Sequence, residues 1–208
     1  MAELLRSISE LAVAVVPTCV GVSISINSSG GLYTITATSQ ELAVVDAVQY
    51  LSGGPCVDCF ASGEELYVPD VLDENQWQLA AEAAAARGVR STLSMPLRDG
   101  QQVIGALNLY GGELNSFENK ERLVAGIFGA RFDEVVTNAD LTFMTREFAR
   151  ELPERLAASS QVDEAVGMLM VRHGWSSPEA RERLAEAASK AGVPPDRLAN
   201  ALVELKGT

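Results

Sequence analysis

The stretch 91-STLSMPLRDGQQVIGALNLYGG-112 decides the fold. Asp99 and Gly100 stand between two apolar runs, and an Asp-Gly pair turns a chain back on itself because Gly accepts the positive φ of a tight hairpin turn. The return run from Val103 to Tyr110 is apolar apart from Asn108, so the spacing predicts a β-hairpin. A second hairpin is predicted upstream. In 19-CVGVSISIN-27, Val20, Val22, Ile24 and Ile26 alternate onto one face, 27-NSSGG-31 reads as a turn, and 32-LYTITATS-39 is rich in β-branched residues.

Helical periodicity surrounds these hairpins. Leu4, Leu5, Ile8, Leu11, Ala12 and Val15 recur at helical spacing over residues 1–16. Residues 41–52 predict a short helix, 65-ELYVPD-70 a short strand ended by Pro69, and residues 76–87 a helix closed by Gly88. An antiparallel sheet with helices on its faces is the packing that buries so many apolar runs. From Phe117 to Leu152 apolar residues recur mostly at three or four, which predicts one long helix, with Pro153 kinking or restarting it.

The tail predicts three helices: roughly 154–173, ended by Gly174; a second with a Ser N-cap in 176-SSPEA-180, ended by Gly192; and a third within 194-PPDRLANALVEL-205. Gly167, Ala165 and Ala188 read as close helix–helix contacts, and Met168, Leu169 and Met170 as core. The fold class is thus α+β, with the sheet domain over residues 1–136, a helical linker or dimer stalk over 137–153 and an all-α three-helix unit over 154–208.

Composition narrows the function classes. Apolar residues make up 47% of the 208, and the net charge is −12, which argues against a general polyanion binder. The charge is uneven: residues 153–208 carry 7 Lys and Arg against 8 Asp and Glu. The tail is therefore the segment suited to nucleic acid. No run reaches the roughly 20 apolar residues of a membrane span, and 11-LAVAVV-16 is too short and too closely preceded by Glu3 and Glu10 for a signal peptide. Three cysteines without a secretion signal suggest a reducing cytoplasm.

Two resemblances then become visible. Residues 46-DAVQYLSGGPC-56, Asp70, Trp77, 88-GVRSTLSMPL-97 and 104-IGALNLY-110 resemble a GAF domain of the actinobacterial regulator type. The tail resembles an ANTAR domain through 162-VDEAVGMLMVRHGWSSPEARERL-184, Ser189 and 198-LANALV-203. The pair resembles GAF–ANTAR transcription antitermination regulators. That resemblance implies a sensor domain, a linker that pairs subunits into a homodimer, and a three-helix unit that binds tandem RNA stem-loops. It also implies a cationic residue near the positions held here by Ser159 and Val166.

The candidate RNA-binding residues are Arg172, His173, Arg181, Arg183, Lys190 and Arg197: Arg and Lys suit phosphate, while His and Arg also stack on unpaired bases. The competing reading is a solvated, salt-bridged helix face, since Glu179, Glu182 and Glu186 are interleaved. Trp175 is either a base-stacking face or a lid on the bundle core. The resembled GAF pocket would be lined by Tyr50, Cys56, Phe60, Trp77, Ser94 and Leu107, for an unidentified small ligand or none. No metal or cofactor is called for, since the single histidine lies outside that pocket. Catalysis has little support; the exception is thiol chemistry at Cys19, Cys56 or Cys59, as in GAF-fold enzymes that reduce free methionine sulfoxide. A regulator that works only through protein partners is the third possibility. The spelling 53-GGPCVDCF-60 reads as a helix start with Cys56 in its first turn, ahead of a redox pair.

Overall fold

The computed structural model describes residues 2–28, 31–120, 122–126 and 160–205, the side chains of residues 2–8 excepted. Five strands form one antiparallel sheet in the order β2-β1-β5-β4-β3: β1 Cys19–Ser28, β2 Gly31–Ala37, β3 Leu66–Val68, β4 Ser91–Asp99 and β5 Gln102–Gly111. The two predicted hairpins are β1–β2 and β4–β5, and Gly100 takes φ 58° in the turn of the second. β1 and β5 zip the hairpins together, which makes the middle of the sheet buried on both faces.

One face packs on α1 (Ala2–Val15). Ala12 and Val16 meet Val22, Ile24, Leu93, Met95, Leu107 and Leu109 there, with Phe117 sealing the end. The other face carries α2 (Gln40–Ser52), α3 (Pro55–Ser62) and α4 (Gln78–Ala85), with a 3-10 turn at Val71–Asp73. The Ser39 hydroxyl accepts from the Leu42 N–H and starts α2. Pro55 occupies the first turn of α3, where its missing N–H costs nothing.

Two readings from alternation fail locally. Val20 does not join the Val22, Ile24 and Ile26 face: it is the extra residue of a β-bulge between Cys19 and Gly21, which turns it outward to 55% exposure. The helix predicted from Phe117 does not start there. Residues 114–120 are turns, and Asn119 stands at φ 58°, a left-handed conformation that a helix cannot contain. Residues 122–126 are helical; the remainder of that expectation, the linker over 137–153 included, lies outside the described residues.

The C-terminal helices are α5 (Ser160–His173), α6 (Ser177–Lys190) and α7 (Pro195–Glu204). The Ser176 hydroxyl accepts from the Glu179 N–H at 3.4 Å and caps α6. Val162, Ala165, Val166 and Leu169 form the buried stripe of α5 at spacings of three and four. Met170 falls off that stripe and is exposed, and a Cβ at Gly167 would meet open space, so neither is the packing residue expected.

These helices do not stand apart from the sheet domain. Val44, Ala47, Val48 and Leu51 of α2 and Leu79, Ala80 and Ala83 of α4 share one continuous apolar core with Ala180, Leu184, Ala187 and Leu202. Trp77 and Trp175 both border this core.

Candidate functional site

The functional geometry has two parts: a buried polar lattice with a cavity beneath the sheet, and a cationic edge on the C-terminal helices. The lattice centres on Asp46, which α2 holds fully buried against the sheet. Its Oδ1 accepts from Tyr110 Oη at 2.5 Å and Ser23 Oγ at 3.1 Å, and its Oδ2 from Thr34 Oγ1 at 2.9 Å. Burial pushes the Asp46 carboxyl up to about 6, against the opposing pull of these donors.

The lattice continues with a fixed direction. Thr34 gives its only proton to Asp46, so Tyr50 Oη, 2.7 Å away, donates to Thr34. Tyr50 must then accept from Ser25 Oγ at 2.7 Å, and Ser25 accepts from the Cys56 thiol at 3.6 Å. Asn108 joins the network from β5, donating to Ser23 Oγ at 3.1 Å and Cys56 Sγ at 3.2 Å, while its Oδ1 accepts from Ser94 at 2.9 Å.

The run 46-DAVQYLSGGPC-56 is now explained residue by residue. Asp46 and Tyr50 face the sheet one turn apart on α2. Gln49 Oε1 accepts from the Cys56 N–H at 2.8 Å and caps α3 from outside it. Gly53 ends α2 at φ 85°, and Gly54 leaves the space that the Gln49 side chain fills. Asp70 accepts from the Leu72 N–H at 3.0 Å and pairs with Arg90 at 3.4 Å, tying the 3-10 turn to β4.

Beside the lattice lies a cavity of about 20 Å³, bounded by Val45, Gln49, Val71, Glu74, Trp77, Ala80, Ala84, Thr92, Ser94 and Tyr110. That is room for about one water molecule. Thr92 Oγ1 is buried there without a hydrogen-bond partner among the described residues. Trp77 is held over the cavity by an Nε1–H bond to Asp58 Oδ2 at 2.9 Å.

Of the expected pocket residues, Trp77 and Ser94 line this cavity. Tyr50 and Cys56 belong to the adjoining lattice, and Phe60 packs beside Leu32, Cys56, Cys59 and Ala106. Leu107 lies on the opposite face, in the core under α1. The register explains this: Ser94 pairs with Asn108, so Asn108, Tyr110 and Thr92 share its face while Leu107 points away. Alternation read backward from Ser94 would have found Thr92, while Tyr110 follows from the register that sets it opposite Thr92; Gln49 and Glu74 carried no signal of their own.

The two cysteines of 53-GGPCVDCF-60 are fully buried and free. Burial pushes both thiols up to about 12, Cys56 also feeling the Asp46 charge and Cys59 that of Glu65. The helix N-terminus does not compensate for this desolvation. No group of three or more His, Cys, Asp or Glu suited to a metal occurs among the described residues.

On the C-terminal helices, α5 and α6 bring Arg172, His173, Trp175 and Arg183 together. The His173 ring stacks on Trp175 with centroids 4.2 Å apart, and the Arg183 guanidinium lies 4.5 Å from the Trp175 centroid. Desolvation and the charges of Arg172 and Arg183 push the His173 imidazole down from its ordinary value. Lys190 sits at the other end of α6, roughly 10 Å along the helix from Arg183 at 1.5 Å per residue, and Arg197 lies on α7.

Each of the five candidate cations has a carboxylate partner. Arg181 pairs with Asp163, Arg183 with Glu179 and Lys190 with Glu186 within the bundle. Arg172 pairs with Glu82 of α4 at 3.4 Å, and Arg197 with Glu41 of α2 at 2.7 Å.

Comparison with known proteins matches this organisation. Residues 1–131 match the GAF domain family and residues 150–203 the ANTAR domain. The chain is a member of the GAF domain family that also carries an ANTAR domain. The pairing is that of a signal-responsive regulator. No curated protein sequence matches it. Among solved structures, a domain described as part of a two-component sensor histidine kinase protein from Sinorhizobium meliloti 1021 is 16% identical, with a TM-score of 0.51 over 70% of this chain and 96% of that one. A free methionine-R-sulfoxide reductase of type II from Thermoplasma acidophilum is 13% identical, with a TM-score of 0.49 over 63% of this chain and 89% of that one. A GAF domain from Synechocystis sp. PCC6803 in its photoproduct state is 16% identical, with a TM-score of 0.47 over 65% and 96%. At 16% identity, the first of these speaks to the fold of the GAF domain alone. No described helix is long and apolar enough to cross a membrane.

Proposed function

We propose that this GAF–ANTAR protein is a cytoplasmic RNA-binding antitermination regulator, in which the ANTAR helices take tandem RNA stem-loops and the GAF cavity takes a small signal molecule. Pairing of two chains through residues 137–153 would place two ANTAR units on two adjacent stem-loops. The observation that carries the reading is the cluster of Arg172, His173, Trp175 and Arg183 where α5 meets α6. It combines guanidinium groups for phosphate with stacked rings of the kind that receive unpaired loop bases. Desolvation and the neighbouring Arg172 and Arg183 push the His173 imidazole down, which favours its use as a stacking ring.

The thiol-enzyme alternative finds no support in this geometry. A catalytic cysteine acts as a thiolate, and burial holds Cys56 and Cys59 protonated, with thiols pushed up to about 12.

The test is a gel-shift salt series with a synthetic RNA of two adjacent stem-loops. Removing one cation from a phosphate flattens the log–log salt slope by about 0.7–0.9, so Arg183→Ala should weaken binding and lower the slope by about that amount. Absence of any shift at low salt in the unaltered protein would rule the reading out.

A further inference from the structure

We propose that the GAF domain holds the ANTAR domain in an autoinhibited seat, its carboxylates occupying guanidinium groups that RNA phosphate would otherwise take. The inference rests on the RNA-binding reading and adds a competition to it. Of the six candidate RNA-binding residues, Arg172 and Arg197 form ion pairs with Glu82 and Glu41 of the GAF helices. Lys190 lies over β2, where a Cβ at Gly31 would come 3.3 Å from its Cε. Two of the six are thus held by GAF carboxylates, and a third packs against the GAF sheet.

The seat combines a mixed apolar core with exposed ion pairs. Half of the buried residues of that core are alanines, including Ala43, Ala47, Ala80 and Ala83 on the GAF side and Ala180 and Ala187 on the ANTAR side, and the rest are valines and leucines such as Val44, Leu51, Leu79 and Leu184. Each alanine removes less apolar surface from water than a leucine would, so the seam holds less tightly than one filled with leucine. The ion pairs are open to competitors: the side chains of Arg172 and Glu82 are 38% and 46% exposed, those of Arg197 and Glu41 43% and 53%. An RNA phosphate can reach such guanidinium groups and bind them with charge-assisted hydrogen bonds.

Helix α4 connects this seat to the cavity. Trp77 and Ala80 line the cavity and also border or join the shared core, and Glu82 of the same helix holds Arg172. The cavity is about 20 Å³, so a guest larger than water has to shift part of its lining, to which α4 contributes Ala80 and Ala84. A guest that shifts α4 would also move the helix that anchors the ANTAR domain. RNA affinity is lowered by the fraction of molecules in the closed form, and opening by either ligand favours the other.

The experiment uses the full chain and the two-stem-loop RNA. Glu41→Gln/Glu82→Gln should bind it roughly 5-fold or more tightly than the unaltered protein, since each exposed pair holds the closed form by a factor of about two to five. Glu64→Gln/Glu118→Gln, an equal charge change at two exposed GAF positions away from the seat, should change affinity less than about 2-fold. Hydrogen exchange in α4 should quicken when RNA is added to the unaltered chain. Equal affinity of Glu41→Gln/Glu82→Gln and the Glu64→Gln/Glu118→Gln control, or slower exchange in α4 with RNA, would overturn the inference and leave RNA binding standing. No shift by any of the proteins would overturn the RNA reading, and the competition with it.

Discussion

Replacing Asp46 by Asn tests the buried lattice directly. The Asp46 carboxyl titrates at about 6 in the folded chain against 3.8 for an ordinary aspartate. Between those values the folded protein holds a proton that the unfolded chain has released, so stability falls as pH rises. The difference of about two pH units corresponds to about 3 kcal/mol at 1.36 kcal/mol per unit. That stability is fully present below about pH 4 and is lost as pH rises through about 6. Asn carries no such titration, and the hydroxyl chain can serve it by reversing. The Asn amide would donate to Thr34, Thr34 to Tyr50, Tyr50 to Ser25, and Ser25 to the Cys56 sulfur, with no heavy atom displaced. The assay is urea unfolding of both proteins from pH 5 to 8, above the range where protonation would cancel the net charge of −12. Other carboxylates cancel in the difference. The stability of Asp46→Asn relative to the parent should rise across that range by about 1.5 kcal/mol, roughly half the full amount. A difference that stays flat, or falls, would refute the assignment of a protonatable, desolvated Asp46.

Three further substitutions probe other parts of the fold. Thr92→Val removes a buried hydroxyl without a partner and should raise stability by about 1 kcal/mol in thermal unfolding; a loss would show that the hydroxyl is engaged. Gly54→Ala places a Cβ on the Gln49 side chain, expelling the cap of α3, and should cost about 1–3 kcal/mol; an unchanged melting temperature would refute that close approach. Gly167→Ala, in contrast, meets open space within a helix and should stabilise the ANTAR domain by about 0.5–1 kcal/mol. Destabilisation there would restore the close helix contact that the sequence suggested.

Much of the fold was legible because it depends on local rules. The Asp99-Gly100 turn, the Ser39 and Ser176 caps and the Pro55 and Pro195 helix starts each act within a few residues of themselves. Two misreadings concern the face that a strand residue takes. Val20 was placed by alternation, which inverts after a bulge, and Leu107 by the resembled pocket, whereas the β4–β5 register turns it to the opposite face. Asn119 stopped a helix that periodicity alone would continue. The partners of the candidate cations were legible only where they lie four residues apart on one helix, as Arg183 with Glu179.

By itself, the sequence determined the two hairpins, the helices that flank them, the three-helix tail and the residue types available for phosphate and base. Periodicity and capping chemistry act over a few residues and leave a readable trace. Only the tertiary structure decided that Asp46 is a buried, lattice-bound carboxyl, that the cavity has room for one water, and that Glu41 and Glu82 hold Arg197 and Arg172. Those pairings join residues 156 and 90 positions apart. Contacts at such separation follow from how finished surfaces meet, and no local pattern encodes which carboxylate a guanidinium will find.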